Sequence, residues 1–364
     1  MDDYADYLQD DPMQAILAGM DETRHKRFEL IQRIDDKYIC TQRDRALLKE
    51  LFTLVDRTQA AIASAHPEGR LLAVIGESGA GKTWTVEQAI KEVPGLVDAL
   101  LYVTTPRPCT LKQLGRSILS AIGYELKRDL PEHIIWEKVR EQLERLKIRF
   151  VWLDELQHSF EGKNDAELLK ISDTIKNLMQ RRAWPVSFIV SGLPVVSNFL
   201  GRDRQIERRS STVIFGAVTY PDNVALVRHL VRSVVVDHAG MRQGADIARP
   251  TTVGPAGAER TLDLATDEFC NRLCHATGSQ FGVIVTMTRK AVLNAFDRQD
   301  FDGAVRVHDF AAAYAEETGA VLSQNVFLAA NWHEVDPRNS RDREPSKANL
   351  VEAAKQAKQP KGKK

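Results

Sequence analysis

The chain has 364 residues, of which 43% are hydrophobic and 27% charged, and its 50 basic residues balance its 50 acidic residues. This composition is typical of a soluble globular protein with room for two or three compact units. No apolar run reaches the roughly 20 residues of a membrane span, and the start MDDYADYLQDDP is unlike a signal peptide. We therefore expect a cytoplasmic protein without a membrane partner.

The first predicted elements are an arm and a helix. Residues 1–22 hold seven acidic side chains and neither Lys nor Arg, so we interpret residues 1–35 as a flexible acidic arm. The segment RDRALLKELFTLVDRTQAAIASA places apolar residues at helical spacing and predicts an amphipathic helix. This helix leads into a predicted globular core over residues 36–220.

The stretch LLAVIGESGAGKTWT contains a complete G-x-x-x-x-G-K-[ST] phosphate-binding loop. The apolar run before the loop predicts a buried strand, and TVEQAIKEV predicts the helix after it. The glycines let backbone N–H groups turn toward a phosphate chain, Lys82 supplies positive charge, and the Thr83 hydroxyl is suited to Mg²⁺. We therefore predict that the chain binds a nucleoside triphosphate with Mg²⁺. The predicted binding residues are Gly76, Glu77, Ser78, Gly79, Ala80, Gly81, Lys82, Thr83 and Trp84.

Strands and helices alternate through the rest of the predicted core. Four further strands are predicted at DALLYVTT, IRFVWLDE, PVSFIVSG and STVIF, with helical segments between them. This alternation predicts an α/β fold, in which a parallel sheet of five strands carries helices on both faces.

Two adjacent acids follow the strand in IRFVWLDE. Asp154 ends that strand near the phosphate loop, where a carboxylate is suited to hold Mg²⁺, and Glu155 is suited to act as the general base that orients water. Small-molecule kinases seldom keep the second acid, because activated water would waste their ATP. The pair therefore predicts ATP hydrolysis.

The next strand ends in Ser191, whose hydroxyl is placed to sense the γ-phosphate. Arg208 and Arg209 then end a helix just before the fifth strand. One of them is a candidate arginine finger for a neighbouring subunit's nucleotide, with Arg209 ranked ahead of Arg208 and Arg204 third. The alternative is a solvated basic helix end.

Beyond Pro221 the sequence predicts helices only, as a second domain over residues 221–324. A Gly-, Pro- and Thr-rich stretch at about residues 240–261 predicts a mobile loop. Cys270 and Cys274 lack a second ligand pair at zinc spacing, so we interpret them as core or half-buried thiols. Residues 325–364 are interpreted as a tail, basic at its end, where the last ten residues hold five lysines.

The order of these motifs resembles the AAA+ ATPases, in which the helical second domain forms a lid. LDELQH, DRQIERR and YICTQRDRALLKEL look like the TniB/TnsC/MuB group of ATP-dependent regulators of DNA transposition, although initiators of the ORC type and secretion-associated ATPases share most of these motifs. The resemblance covers about residues 30–320. It implies a homo-oligomer, as a ring or helical filament, that binds ATP and duplex DNA without sequence preference. It further implies that this oligomer selects target sites and recruits or stimulates a transposase, with a target-selector protein as a further partner.

The lid departs from the AAA+ pattern at one position. Many AAA+ lids carry an arginine that touches the γ-phosphate, and the matching position in this chain is Gln280 or Phe281. Arg289 lies about two turns further along the predicted helix and is expected to face elsewhere. Slow hydrolysis, stimulated by oligomerisation, is the expected consequence.

The resemblance also points to a DNA contact after the second strand. The matching stretch holds Arg107, Lys112 and Arg116, with Thr110 as a candidate helix cap. These residues are candidates for binding the phosphate backbone, and the alternative is the polar face of an ordinary amphipathic helix. For the whole chain, the rival functions are a protein-remodelling or signalling AAA+ switch without DNA contact and a phosphotransferase. The acid pair and the lack of an acceptor-pocket signature disfavour the phosphotransferase.

Overall fold

The structure is a computed structural model that describes residues 16–64, 67–248 and 260–337. These residues divide into two compact units. The nucleotide-binding unit spans residues 39–217 together with 280–282, and the helical unit combines residues before 39 with residues 218–279 and those after 282.

The strands are β1 (Leu71–Gly76), β2 (Leu100–Thr104), β3 (Phe150–Asp154), β4 (Ser187–Gly192), β5 (Ser210–Phe215), β6 (Arg242–Gln243), β7 (Ala245–Ala248), β8 (Arg260–Asp263) and β9 (Ala304–Val305). The helices are α1 (Glu22–Asp35), α2 (Gln42–Ile62), α3 (Lys82–Lys91), α4 (Leu96–Ala99), α5 (Leu111–Ala121), α6 (Glu132–Arg145), α7 (Asp165–Met179), α8 (Val195–Gly201), α9 (Arg204–Glu207), α10 (Val224–Arg232), α11 (Asp267–Ala276), α12 (Phe281–Asp297) and α13 (Val307–Thr318). Short 3₁₀ turns lie at Leu156–Ser159, Leu322–Gln324 and Trp332–Glu334, and a π-helical turn at Ser233–His238 follows α10.

Five strands of the nucleotide-binding unit form one parallel sheet in the order β2-β3-β4-β1-β5. The carboxyl ends of all five strands therefore lie at one edge of the sheet, which we call the carboxyl edge; the opposite edge is the amino edge. The register pairs Thr104 with Asp154, and it pairs Leu153 with Val190, the residues directly before Asp154 and Ser191. The polar ends of β2, β3 and β4 therefore lie side by side. The predicted α/β fold with a five-stranded parallel sheet is confirmed.

The central strands are buried on both faces. Every residue of β1, β3 and β4 is buried, which explains why each reads as a continuous apolar run rather than as an alternating pattern. Alternate residues supply two cores. Leu71 and Ala73 pack in the larger core with residues of α5 to α8, whereas Leu72 and Val74 pack in the other core with residues of α2 and α3.

The N-terminal segment differs from the predicted arm, because part of it is the regular helix α1 in the helical unit. Asp21 caps this helix by accepting a hydrogen bond from the Arg24 amide at 2.9 Å. Leu30 and Ile34 lie one turn apart and are buried. Four of the 14 residues are apolar, Phe28, Leu30, Ile31 and Ile34, and the many charged residues around them weaken the helical pattern in the sequence. Residues 1–15 lie outside the described residues.

The helical unit contains short strands that the sequence interpretation omitted. β6 pairs with β9, and β7 pairs with β8 in an antiparallel ladder within the stretch predicted as a mobile loop. Residues 249–259 of that stretch lie outside the described residues. Strands of two to four residues give no periodicity that a sequence reading can detect.

The predicted C-terminal tail from residue 325 also begins with ordered structure. Val326 and Phe327 are buried, and the Asn325 side chain donates a hydrogen bond to the Ala311 carbonyl at 2.8 Å. The buried Arg272 guanidinium donates to the Val326 and Ala329 carbonyls at 2.8 and 3.0 Å. Contacts with residues distant in sequence therefore order this segment, and no local sequence pattern predicts that it is ordered. The basic end, residues 338–364, lies outside the described residues.

Cys270 and Cys274 are buried in the helical unit, as predicted. Burial raises the pKa of each thiol to about 11, so both stay protonated at neutral pH. Within the described ranges, no helix is long and apolar enough to cross a membrane.

Candidate nucleotide site

The phosphate loop joins β1 to α3 at the carboxyl edge, as the sequence predicts. Gly79 and Gly81 take left-handed backbone angles, with φ of 79° and 86°, which a side chain would disfavour. A Cβ at Gly76 would lie 2.7 Å from the Phe215 carbonyl oxygen, so close packing against β5 requires this glycine. Gly81 directly precedes α3, and the backbone N–H groups at the start of this helix have no carbonyl partner within it. The loop is therefore built to present amides to an anion. Glu77, Ser78 and Trp84 are exposed on it, and Ala80 is buried.

Lys82 lies inside the loop and is only 5% exposed. Its ammonium group donates hydrogen bonds to the Gly76 and Glu77 carbonyls at 2.9 and 3.0 Å. Burial lowers the pKa of Lys82, while nearby carboxylates, chiefly Glu155 and Asp154, act in the opposite direction. The loop carbonyls thus hold the positive charge of Lys82 close to the carboxylates of Asp154 and Glu155.

Asp154 lies at the centre of a hydrogen-bond network that connects three elements. Its Oδ2 accepts from the Thr83 hydroxyl at 2.8 Å, and its Oδ1 accepts from the Ser191 hydroxyl at 2.5 Å and from the Glu155 amide at 3.0 Å. The Trp152 indole N–H in turn donates to Ser191 at 2.7 Å. The structure therefore brings together the predicted metal ligands and the predicted sensor.

The Thr83 hydroxyl and the Asp154 carboxylate fit a Mg²⁺ ion. Hydroxyl and carboxylate oxygens are the hard ligands that this ion prefers, and the two groups lie 2.8 Å apart beside the loop. When bound there with a nucleotide, the ion would neutralise negative charge on the phosphates.

Glu155 is the first residue after β3 and has a left-handed backbone, with φ 55° and ψ 39°. This conformation is uncommon for a residue with a side chain, and such strain is often found at functional sites. Glu155 begins the 3₁₀ turn that follows the strand, and its carboxylate accepts a hydrogen bond from the Gln157 side chain.

Residues 280–282 contact the phosphate loop from within the same unit. The Gly282 amide donates to the Gly79 carbonyl at 2.7 Å, and a Cβ at Gly81 would lie 3.5 Å from the Phe281 ring. The Arg43 guanidinium stacks on the Phe281 ring at 3.4 Å. Neither Gln280 nor Phe281 supplies the arginine that the AAA+ pattern expects, and Arg43 from α2 brings a guanidinium within 3.5 Å of a Cβ placed at Gly81.

Arg289 belongs to the helical unit and is partly buried there. Its guanidinium donates to the Asp35 and Lys37 carbonyls at 3.3 Å and pairs with the Asp35 carboxylate at 3.4 Å. These contacts account for this side chain without a nucleotide.

The candidate finger arginines lie at the amino edge of the sheet, because they directly precede β5. Arg209 is held by its own chain: its Nε donates to Glu68 at 2.9 Å and its NH1 to the Gln205 carbonyl at 2.8 Å. Arg208 is exposed, and no side-chain hydrogen bond or ion pair engages it within the described ranges. Arg208 is thus the more available of the two, and the prediction that ranks Arg209 first remains a prediction.

The candidate DNA-binding residues divide into two places, each with an acidic partner. Lys112 and Arg116 lie on α5 and share Asp129, at 2.7 and 3.2 Å, whereas Arg107 pairs with Glu161 at 2.9 Å. The hydrogen bond from Lys112 is the main cause of a lowered Asp129 pKa. Thr110 caps α5, as predicted, by accepting from the Gln113 amide at 3.0 Å.

Residues 66–200 match the protein family described as AAA domain. The match covers 135 of the 364 residues, and the fold of this part of the chain is the α/β fold of an AAA+ P-loop domain. The Aeropyrum pernix ORC2 protein, solved as ADPNP-ADP complexes, is similar over 78% of this chain and 71% of its own, with a TM-score of 0.50 and 15% identity. Cdc6p from Pyrobaculum aerophilum is similar over 89% of each chain, with a TM-score of 0.51 and 11% identity. At identities this low the likeness shows a shared fold alone. No curated protein matches the chain by sequence.

Sequence reasoning missed three residues at or near the candidate functional groups. Gln157 contacts Glu155, Arg43 lies beside the phosphate loop, and Glu68 holds Arg209. Gln157 follows the acid pair by two residues, so its proximity was detectable. Arg43 and Glu68 reach their partners only through tertiary packing.

Proposed function

We propose that this chain is an ATPase that assembles with copies of itself on duplex DNA and changes its assembly state as it hydrolyses ATP. The observation that carries the ATPase proposal is the connected network of Lys82, Thr83, Asp154 and Ser191, with Glu155 beside it, at the carboxyl edge. An AAA domain implies nucleotide binding and hydrolysis in general terms.

The proposed chemistry assigns one task to each of these side chains. The loop amides and the Lys82 ammonium bind the β- and γ-phosphates, and this charge stabilises the transition state as the bond to the γ-phosphate breaks. Thr83 and Asp154 would hold Mg²⁺. Glu155 orients a water molecule in line with the leaving oxygen and accepts its proton. The Ser191 hydroxyl donates to Asp154 and would respond to the γ-phosphate through that carboxylate.

An arginine at the amino edge supports an oligomer in which the active site is shared. Arg208 and Arg209 lie at the opposite edge of the sheet from the phosphate loop of their own subunit, so neither is placed to reach the nucleotide bound there. An arginine from a neighbouring copy can supply transition-state charge to that nucleotide. We propose Arg209, as its motif position suggests, or Arg208, as its exposure suggests.

The more specific proposal is that the chain regulates DNA transposition by marking target sites for a transposase. The segments LDELQH and DRQIERR support this branch of AAA+ proteins. Contacts to DNA would be made to the phosphate backbone by Arg107, Lys112 and Arg116, and binding would therefore be sensitive to salt.

A gel shift with random-sequence duplex DNA tests the proposal, with and without a non-hydrolysable ATP analogue. We expect ATP-dependent complexes that grow with protein concentration and weaken with salt. ATP hydrolysis without DNA binding in any nucleotide state would exclude the DNA-based function and leave the ATPase intact.

The second candidate is an AAA+ switch that acts on proteins and does not contact DNA. The ion pairs at Asp129 and Glu161 favour it, since they neutralise part of the positive charge that a DNA backbone would attract. The same gel shift separates the two candidates.

A further inference from the structure

Gln157 lies between the ends of two neighbouring strands that carry proposed catalytic groups. Its side chain is buried, with 6% exposure. The Nε2 amide donates to Glu155 Oε2, and Oε1 accepts a hydrogen bond from the Leu193 backbone amide at 3.2 Å. The carboxamide therefore connects the carboxylate that follows β3 to the backbone that follows β4.

The local backbone explains how this contact forms. The left-handed conformation of Glu155 turns the chain directly into the 3₁₀ helix Leu156–Ser159. Since this helix has about three residues per turn, Gln157 comes back close to the strand end within two residues. A strained residue thus places the carboxamide against the adjacent carboxylate.

The end of β4 is shaped around the same side chain. A Cβ at Gly192 would lie 2.5 Å from Gln157 Oε1 and 2.7 Å from Val196, distances that real Cβ atoms do not show. A side chain at Gly192 would therefore displace the carboxamide. Glycine at this position leaves the space that Gln157 fills.

The two acids have separate supports. Asp154 is held by Thr83, Ser191 and the Glu155 amide, and none of these groups touches the Glu155 carboxylate. Gln157 is the side chain that orients Glu155 in the described part of the chain. A change at Gln157 should therefore affect the proposed base and leave the metal ligands in place.

We propose that Gln157 is a positioning residue for hydrolysis, which fixes Glu155 by binding one carboxylate oxygen and leaves the other oxygen for the attacking water. This inference rests on the proposed ATPase function. A held carboxylate loses less conformational freedom on reaching the transition state than a free one does. The hydrogen bond to Leu193 fixes the carboxamide in turn, so its donor group points at Glu155.

The test is Gln157→Leu, which keeps the approximate volume and removes both hydrogen bonds. We expect kcat to fall about tenfold or more while KM and the affinity for a non-hydrolysable ATP analogue change by less than about twofold. Gln142→Leu is the matched control: Gln142 is another buried glutamine of the same unit, on α6, so the substitution tests the loss of a buried amide elsewhere. It should leave kcat unchanged.

Adding Gln157→Leu to the Glu155→Gln variant distinguishes a positioning role of Gln157 from a structural one. If Gln157 acts through Glu155, the residual rate of Glu155→Gln should change by less than about twofold when Gln157→Leu is added. A further tenfold loss in the double variant would overturn the proposal, as would a wild-type kcat in Gln157→Leu. If Gln157→Leu does not fold, Gln157→Met, whose unbranched side chain has a similar length, removes the same donor, and the same kcat loss is expected from it.

The Glu155→Gln variant also distinguishes this inference from the proposed function. Wild-type hydrolysis in Glu155→Gln would refute the assignment of the base itself. Loss of hydrolysis there, with no loss in either Gln157 variant, would refute only the positioning role.

Discussion

The charged side chains of the candidate nucleotide site and those of the surfaces proposed for partners differ in burial and in the groups they contact. At the carboxyl edge, the buried Lys82 ammonium is hydrogen-bonded to the loop backbone, and the Thr83 hydroxyl is hydrogen-bonded to the Asp154 carboxylate. At the partner surfaces, Arg209, Lys112 and Arg107 are more exposed, and each pairs with an acid of the same chain. A nucleotide therefore meets groups already arranged for it, whereas a second subunit or DNA has to replace existing ion pairs.

This difference implies that the two kinds of site respond differently to substitution. Removing a buried charge at the nucleotide edge leaves its partners unsatisfied and should have a large effect. Exposed ion pairs contribute at most about 1 kcal/mol each, so single changes there should have small effects unless many subunits act together.

The largest effect is expected from Lys82→Ala. It removes the buried ammonium group proposed to bind the β- and γ-phosphates, and we expect ATP affinity to fall about 100-fold or more, or about 3 kcal/mol. Calorimetric titration with ATP measures the loss. An affinity close to wild type would contradict the site assignment. It would also contradict the larger effect expected of buried charges than of exposed ion pairs.

Glu155→Gln should leave ATP binding nearly unchanged and reduce kcat by about 10³-fold. Metal binding stays with Thr83 and Asp154, whereas the proposed base is lost. Steady-state phosphate release measures kcat, and titration with a fluorescent ATP analogue measures binding. Oligomers on DNA should last longer in this variant than in wild type.

The arginines at the amino edge should matter only between subunits. We expect Arg208→Ala or Arg209→Ala to reduce kcat about 10²-fold without weakening ATP binding by the isolated chain. The measurement is turnover against protein concentration for both variants and for Arg204→Ala, the variant of the third candidate. An equal mixture of the affected variant with Lys82→Ala should regain activity, since each partner supplies the half-site that the other lacks.

Glu68→Gln distinguishes the two arginines. It breaks the ion pair that holds Arg209, so it should change kcat only if Arg209 is the finger. Turnover that does not depend on concentration in wild type, with no regain of activity in the mixture, would indicate a monomeric enzyme.

At α5, a substitution that removes negative charge should raise the affinity for DNA, and substitutions that remove positive charge should lower it. Asp129→Asn removes the acid shared by Lys112 and Arg116 and should strengthen binding about two- to fivefold. The triple alanine variant of these two residues and Arg107 should weaken binding and lower the magnitude of the log-affinity against log-salt slope by about 0.9 for each lost contact. Affinities at three salt concentrations measure both effects, and no change in either variant would move the DNA site elsewhere.

The smallest effect concerns pH. Burial lowers the pKa of Lys82, and only its charged form attracts phosphates. As pH rises through this lowered pKa, the ammonium loses its proton, so ADP affinity should decline at a lower pH than the ordinary lysine value of about 10.4 would give. ADP titrations at pH 8, 9 and 10 without metal measure the decline, and a constant affinity would show that phosphate binding holds the proton in place.

Much of the nucleotide-binding unit was determined by local sequence. A continuous apolar run followed by G-x-x-x-x-G-K-T predicts a buried strand, a turn and a helix, because the residue types needed for each are contiguous. The ends of the other strands predict which polar groups meet, since parallel strands bring their carboxyl ends to one edge. For this reason Lys82, Thr83, Asp154 and Ser191 were found together where the sequence placed them.

The tertiary structure alone decided which groups support the site and which are already engaged. Arg43, Glu68 and Asp129 gain their roles from contacts with distant segments, and charge in a sequence does not reveal its partner. The same applies to the helical unit, where the buried Phe327 and the helix α1 are held by residues far along the chain. Local periodicity reports the face that a segment buries, whereas ion pairs and isolated core residues depend on which segments the fold brings together.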